Sequence, residues 1–548
     1  MRRTAGLLAL AAGPVLVLGV LFVLPVTGMV AQGFWADGRF DPRGVLDVLG
    51  RPRVHRVAWF TLWSSAVATT ASVLLGMPAA YALHRLALPG RRAVRAALLV
   101  PFVLPTVVVG VAFRQLLGEG GPLGGLGLDG TPVAIIAGLV FFNVAVVVRA
   151  VGAAWESLDP RPGEAAAALG ASPWQVLRTV TLPALRPAVV GAASIVFLFC
   201  ATAFGIVLTL GGVRYATVET EIYLLTTTIY DLRAAAALSV LQILVVVGLL
   251  ALAARLRFAA DPTASRVTTA PRRVRRSDWP AVALTVLLLV ALAAPVLNLV
   301  VGSLRVDGGW STGNYRALGG TGDGSGGGGA LLVPVTTALL TSLRTAVDAT
   351  WMALLMGLAV ALIVTRRSHT PGERRVRSVL DGFFMLPLGV SAVTLGFGFL
   401  ITLDQPPLDL RDSALLVPMA QALVALPLVV RTLVPVLAGI DDRQRQAAAS
   451  LGAPPWRAVL TVDLPVVWRP VLAASGFAFA ASLGEFGATS FLARDDNPTV
   501  PVVIFRLIGH PGEMNYGMAL AASVVLAATT AAVVLAVERL RVPSVGAF

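Results

Sequence analysis

A chain of 548 residues that is 57% hydrophobic and 13% charged, with a mean hydropathy of +0.82, lies outside the soluble globular range, where about a quarter of residues are charged, and reads as a membrane protein. Its net charge of +14 falls in short clusters between apolar runs, not on one basic face, which argues against a nucleic-acid partner. All 43 basic residues are Arg, so no catalytic or phosphate-loop lysine exists, and the single Cys200 with the scattered His55, His84, His369 and His510 offers neither a disulfide framework nor an i, i+4 metal pair.

In chain order, apolar stretches of about 20 residues, the length that crosses a hydrocarbon core, fall near 5–32, 57–83, 96–117, 132–154, 188–210, 235–254, 279–303, 331–364, 378–402, 414–438, 471–492 and 515–537. Runs such as ALTVLLLVALAAPVLNLVVG lack the alternation of a lipid-barrel strand. The expected fold class is therefore an all-α membrane protein with about 12 transmembrane helices. These are called spans 1 to 12 below.

Cytoplasmic loops are enriched in Arg. With the N-terminus inside, the inside segments hold 27 Arg and the outside loops 12, while Arg114, Arg149, Arg344 and Arg431 lie within spans. Both termini of this multi-pass chain are thus expected on the cytoplasmic side of the cell (inner) membrane. RPRVHR, residues 51–56, is an exception in the first outside loop for which the rule gives no reason. The first run begins MRR, as a signal peptide does, but it is too long for that class and MVA is a weak cleavage match, so it reads as a retained span. GGTGDGSGGGG, residues 319–329, reads as a flexible tether.

EAAAALGASPWQVLRTVTLP, residues 164–183, recurs as QAAASLGAPPWRAVLTVDLP, residues 446–465, at an offset of 282. Arg149 and Arg431, Asp159 and Asp441, and Pro105 and Pro387 keep that offset, and Gly76 and Arg85 match Gly357 and Arg366 at 281. The chain reads as two homologous halves, 1–262 and 279–548, joined by an Arg-rich linker at 263–278. Six spans per half is an even number, so the halves enter the membrane in the same direction, as parallel repeats about an axis along its normal.

The duplicated segments occupy inside loops 155–187 and 439–470. In the first, an Ala-rich helix ends at Gly170, the residue suited to a left-handed C′ position. Ser172 and Pro173 offer an N-cap and first-turn residue for a second helix, and Leu182 and Pro183 mark re-entry toward span 5. The second copy repeats this with Gly452, Pro454, Pro455, Leu464 and Pro465. Each reads as a short helix, a tight turn and another helix, the paired projection that a transporter needs if a separate soluble motor is to push or pull on it; the alternative is an ordinary helical hairpin packed against the bundle, which the repetition disfavours.

Glu164, Ala165, Ala166, Gly170, Leu182 and Pro183 resemble the EAA motif of binding-protein-dependent ABC importer permeases. Gln446, Ala447, Ala448, Gly452, Leu464 and Pro465 form the second copy, in which Gln446 replaces the usual Glu. The fused form, with FLFCATAFGIVLTLGG, YATVETEIY and SLGEFGATSFLA, is similar to the thiamine and ferric-iron permeases. The resemblance implies a type I importer-like permease that forms the translocation path for thiamine or ferric iron. It also implies two copies of an ATP-binding subunit coupled through the EAA loops, and an extracytoplasmic solute-binding protein. ATP and Mg then belong to the partner ATPase and this chain carries no cofactor; lacking Lys, it has no G-x-x-x-x-G-K-[ST] loop. An ion-coupled secondary transporter with parallel repeats is the alternative, but it calls for several mid-membrane acids and leaves the duplicated segment unexplained.

Ionisable residues within spans are functional candidates by default. Glu485, flanked by Gly484 and Gly487, its neighbour Phe486, and Thr202 and Phe204 in the matching first-half region are the candidate path or gate residues. The structural alternative pairs Glu485 with Arg344 or Arg431. Asp348 reads as the i, i+4 partner of Arg344, and Arg149 and Arg431 as snorkelling side chains. Glu219 and Glu221 read as a binding-protein contact or a solvated outer face, and Trp174 and Trp456 as packing the coupling helix or filling a pocket on the ATPase.

Overall fold

The computed structural model describes residues 11–36, 38–98, 100–212, 214–256, 271–324, 329–366, 370–403 and 408–539. His369, linker residues 263–270, tether residues 325–328, and both chain ends (1–10 and 540–548) lie outside the described residues.

Among the described residues, ten helices are long and apolar enough to cross a membrane. They are Ala11–Phe34, Pro52–Arg85, Pro132–Glu156, Pro173–Ala201, Leu232–Leu252, Arg276–Ser303, Val335–Thr365, Leu416–Ala438, Trp456–Leu483 and Glu513–Val537. The two expected spans missing from this set are the third of each half. Span 3 is a bent pair, Arg91–Val103 and Thr106–Leu117, meeting at 98°. Span 9 is Pro371–Phe384, a 3₁₀ turn at Leu386–Gly389, and Ala392–Thr402. The repeat-related Pro105 and Pro387 sit at these breaks. A proline supplies no amide to the preceding turn and its ring clashes with the carbonyl four residues back, so apolar composition alone cannot keep the helix straight.

Spans 5 and 11 are also interrupted where continuous helices were expected. The helix ending at Ala201 gives way to a short one at Gly205–Gly211, and the helix ending at Leu483 to one at Thr489–Leu492. In each half this second break lies against the first. A Cβ on Gly205 would fall 2.4 Å from Thr106 Oγ1 and 3.0 Å from the Val107 amide nitrogen. A Cβ on Gly487 would fall 2.9 Å from Ala392 Cβ and 3.3 Å from the Val393 amide nitrogen. Glycine at both positions lets two helix ends touch backbone to backbone inside an apolar bundle.

The described residues pack as two compact units, one built from those within 1–49, 222–243 and 303–547, the other from those within 50–221 and 244–302. Packing thus crosses the repeat boundary. Span 1 lies with second-half helices, where Gly28 approaches Thr402 and Gly398 approaches Pro25, and most of span 7 lies with the first half. Each unit is organised on the same helices: spans 2, 4 and 5 pack mutually in one, spans 8, 10 and 11 in the other. The repeated glycines explain the close crossings. A Cβ at Gly76 would reach Val147 at 2.8 Å, and one at Gly357 would reach Val429 at 2.5 Å, and Val147 and Val429 are themselves 282 apart.

Arg53, in the Arg cluster at 51–56, has a physical reason in the fold. Glu221 is buried at the start of the helix Val218–Thr227, and Arg53 meets it with two hydrogen bonds, Nε to Oε1 at 2.5 Å and Nη2 to Oε2 at 2.8 Å. A carboxylate taken out of water requires such a partner.

Candidate functional site

The duplicated segments have the same backbone. The first helix runs Arg161–Ala168 and the second copy Asp442–Ser450. Leu169 and Leu451 end them, and Gly170 and Gly452 follow with φ of +88° and +81°. The amides of Gly170 and Ala171 donate to the carbonyls of Ala167 and Ala166 at 3.0 Å; those of Gly452 and Ala453 donate to Ala449 and Ala448 at 3.0 Å. This is the Schellman closure, in which a left-handed glycine consumes the last carbonyls of the helix. It gives the EAA alanines a backbone role, since Ala166 and Ala448 supply its outer acceptor.

Short helices follow at Pro173–Val176 and Pro455–Ala458. In the first copy Ser172 Oγ accepts from the Gln175 amide at 3.3 Å and Gln175 Oε1 accepts from the Ser172 amide at 2.7 Å, a full capping box. Pro454 occupies the equivalent position in the second copy and has no side-chain cap to offer.

Next comes a feature that sequence reasoning missed, a five-residue π-turn at Leu177–Thr181 and again at Val459–Asp463. The Leu182 amide reaches back five residues to Leu177 O, and that of Leu464 to Val459 O. Pro183 and Pro465 have no amide to give to residues 179 and 461, and this loss admits the wider turn. The signal was the Leu-Pro pair, read only as a re-entry mark. Through these turns each segment runs directly into a membrane helix, Leu182–Ala201 or Leu464–Leu483, and so toward the breaks at Thr202–Phe204 and Gly484–Ala488.

Glu164, Ala165, Gly170, Pro183, Gln446, Ala447, Gly452, Leu464 and Pro465 are exposed, and Ala166, Leu182 and Ala448 are half-buried. The most exposed apolar side chains were not singled out in the sequence: Leu169 and Leu451 are 90% and 89% exposed, beside Trp174 and Trp456 at 64% each. The expectation that the tryptophans pack the coupling helix is therefore corrected; they stand in the open. A helix-terminal Leu with a following left-handed Gly was the available sign, because the closure turns that side chain outward.

The side chains fastening the two segments differ. In the second, buried Asp463 accepts from Arg366 Nη2 and Arg445 Nε, both at 2.7 Å. Arg445 also reaches Asp442 Oδ1 at 2.8 Å and Leu437 O at 3.2 Å. Burial works against the Arg445 charge, but hydrogen bonds to Asp463 and Asp442 outweigh it and hold its pKa above the ordinary guanidinium value. In the first half Thr181 stands in place of Asp463 and Gly163 in place of Arg445. There Glu156 Oε1 lies 2.7 Å from Arg95 Nη2 and 3.1 Å from His84 Nδ1, and Arg95 Nε donates to Leu83 O at 2.9 Å.

At the breaks, Phe204 and Phe486 are buried and Thr202 is half-buried with its hydroxyl donating to Leu198 O at 2.9 Å. Glu485 takes neither anticipated arrangement with an Arg. It is 6% exposed, and its Oε1 and Oε2 accept from the amides of Ala488 at 2.7 Å and Thr489 at 3.0 Å. It therefore caps the short helix Thr489–Leu492, and the equivalent first-half residue is Ala203.

Other sequence readings are revised. Asp348 accepts from Trp351 Nε1 at 3.3 Å where an Arg344 pair was expected. Glu219 and Glu221 are buried, at 0% and 1% exposure, so neither forms a solvated face or an accessible contact. Among the described residues, no group of three or more His, Cys, Asp or Glu is placed to hold a metal ion.

Two parts of the chain, residues 72–263 and 353–541, match the family described as binding-protein-dependent transport system inner membrane component. Each match contains one duplicated segment. Among curated relatives, the thiamine transport system permease protein of Escherichia coli (strain K12) is 29% identical over 467 residues, covering 83% of each chain. That of Brucella abortus (strain 2308) is 28% identical over 525 residues, 93% of this chain and 90% of its own. A probable ABC transporter permease protein of Sinorhizobium fredii (strain NBRC 101917 / NGR234) is 26% identical over 522 residues, covering 89% and 88%.

Proposed function

The chain belongs to the binding-protein-dependent transport system inner membrane components, a family of multi-pass transport permeases present here as two copies in one polypeptide, and from that premise we propose that it is the permease of an ATP-driven thiamine importer. Two copies of an ABC ATP-binding subunit bind Mg-ATP and engage the duplicated segments, one each, on the cytoplasmic side. Both chain termini lie on that side, and an extracytoplasmic binding protein delivers the solute from the other. Hydrolysis belongs to the partner, and this chain supplies the path and the levers.

The observation that carries the reading is the pair of helix, left-handed glycine and helix projections, each with an exposed Leu and Trp and each continuous through a π-turn with a broken membrane helix. An ATPase closing on Leu169, Trp174, Leu451 and Trp456 pulls on spans 5 and 11, and displacement of those helices reaches the paired breaks beside Phe204 and Phe486. Discontinuous helices are where membrane transporters expose backbone to solute. The names of the relatives favour thiamine over ferric iron. The ion-coupled alternative loses its main candidate, because Glu485 spends both carboxylate oxygens on backbone amides.

Proteoliposomes holding the chain, its ATPase and its binding protein test this with labelled thiamine and ferric iron. Thiamine uptake that requires internal ATP and survives collapse of the proton gradient is expected. Uptake without ATP that disappears with the gradient would sink the importer reading, and ATP-driven uptake of ferric iron alone would sink the substrate.

A further inference from the structure

The Arg-rich stretch that joins the two halves enters span 7 through a built corner. Arg272 pairs by its backbone with the chain at the end of span 2, its amide donating to Arg85 O at 2.9 Å and its carbonyl accepting from the Ala87 amide at 2.8 Å. Asp278, 3% exposed, gathers the side chains around it. Its Oδ1 accepts from Tyr81 Oη and Arg272 Nη2, both at 2.7 Å, and its Oδ2 from Arg272 Nη1 at 2.9 Å and the Arg275 amide at 2.8 Å. A buried carboxylate that accepts this many charge-assisted and neutral hydrogen bonds fixes the path of residues 272–278.

The corner leaves three other arginines in the open. Arg273, Arg275 and Arg276 are exposed, and Asp278, the only acid in residues 271–284, is already paired with Arg272. Trp279 follows at the first turn of the helix Trp279–Ser303 and is 61% exposed. Val286, Val290 and Leu297 recur on the same helix face as Trp279, and each is more than half exposed. From the helix end inward the surface is therefore cationic, then aromatic, then aliphatic. A phospholipid in a bilayer has the matching order of headgroup, interfacial glycerol and acyl chain.

We propose that this surface binds an anionic phospholipid of the cytoplasmic leaflet. Its headgroup lies among Arg273, Arg275 and Arg276, its glycerol region against Trp279, and an acyl chain along Val286, Val290 and Leu297. Basic clusters directly cytoplasmic to a membrane helix attract anionic lipid. Here the backbone that carries the cluster is already fixed by Asp278, so less conformational freedom is lost when the lipid binds. A free phosphate would match the arginines and leave the tryptophan and the aliphatic stripe unused. A zwitterionic lipid would supply the chain without the net charge. The site goes beyond the transport reading, because lipid binding requires neither ATP nor solute.

The test places the full chain in phosphatidylcholine vesicles at low ionic strength with a trace of spin-labelled phosphatidylglycerol or spin-labelled phosphatidylcholine. The motionally restricted fraction of each label, read by electron paramagnetic resonance, gives the lipid preference. The wild type is expected to prefer phosphatidylglycerol about threefold to fivefold, with most of the preference lost at high salt. The triple variant Arg273→Gln, Arg275→Gln, Arg276→Gln is expected to lose it. A second triple variant, Arg374→Gln, Arg375→Gln, Arg443→Gln, removes the same charge from exposed positions in the segments before spans 9 and 11, and it is expected to keep most of it. Excess inorganic phosphate is expected to release no more label than chloride at the same ionic strength. No preference in the wild type, equal losses in the two triple variants, or specific displacement by phosphate would each overturn the proposal. Failure here leaves the importer reading standing, and a chain without ATP-driven uptake leaves the lipid site standing.

Discussion

Residues 155–187 and 439–470 share a backbone and differ in what holds them. Both close a helix on a left-handed glycine, both form a five-residue π-turn before Leu-Pro, and both run into a membrane helix that breaks near its far end. Glycine and proline set those features locally, so they persist wherever the two residue types are kept. The fastening depends on long side chains from distant parts of the chain, and there the halves have parted: a buried Asp463 with two arginines in one, a capping box and a separate cluster on spans 2 and 4 in the other. A duplicated chain can thus stay twofold in path and lever while the side-chain contacts around its two levers diverge.

The largest effect is expected at Gly170. Space around it is open, so Gly170→Val costs only the left-handed conformation, about 1 to 2 kcal/mol, and the chain still inserts. The turn must then re-form with another shape, and uptake per ATP is expected to drop about tenfold, read on proteoliposomes of matched protein content. Gly452→Val imposes the same backbone penalty on a segment also held by Asp463, and a drop of about threefold is expected. Equal losses from the two substitutions would show that the Asp463 contacts do not buffer the second turn. The smallest effect belongs to Glu164 and Gln446, exposed positions where one charge distinguishes the copies. Glu164→Gln is expected to weaken ATPase binding by about twofold at low salt, less at high salt, and Gln446→Glu to strengthen it by a similar factor; salt-dependent affinity measurements check both.

Much of this was legible in the residues. The repeat offset, the glycine turns and the Ser172 cap follow from local chemistry, as do the positions of eight spans. The breaks in spans 3, 5, 9 and 11 were not, because hydropathy counts apolar residues and is blind to a proline or a glycine-mediated contact that interrupts them. Glu485 was read as unusual for its charge, while its role came from the amides of a helix start that only the break creates. The exchange of spans 1 and 7 between packing units left no local trace, since a lipid-facing and a bundle-facing leucine look alike in sequence. Asp463 was passed over because its partners Arg366 and Arg445 lie 97 and 18 residues away.

The claim that both exposed ridges are the ATPase contacts is tested most directly by cross-linking. Cys200 is the sole native cysteine and is buried, so single cysteines placed at Leu169 or Leu451 are the reactive thiols. With Tyr230→Cys, 76% exposed at the wild-type residue, as the control on a different loop, a short thiol-to-amine cross-linker is applied to membranes containing the assembled transporter. Leu169→Cys and Leu451→Cys are each expected to give a covalent adduct with the ATP-binding subunit whose yield changes on adding ATP, and Tyr230→Cys none. No adduct from either segment, or equal yields from the control, would contradict the assignment of these two turns as the points where the motor takes hold.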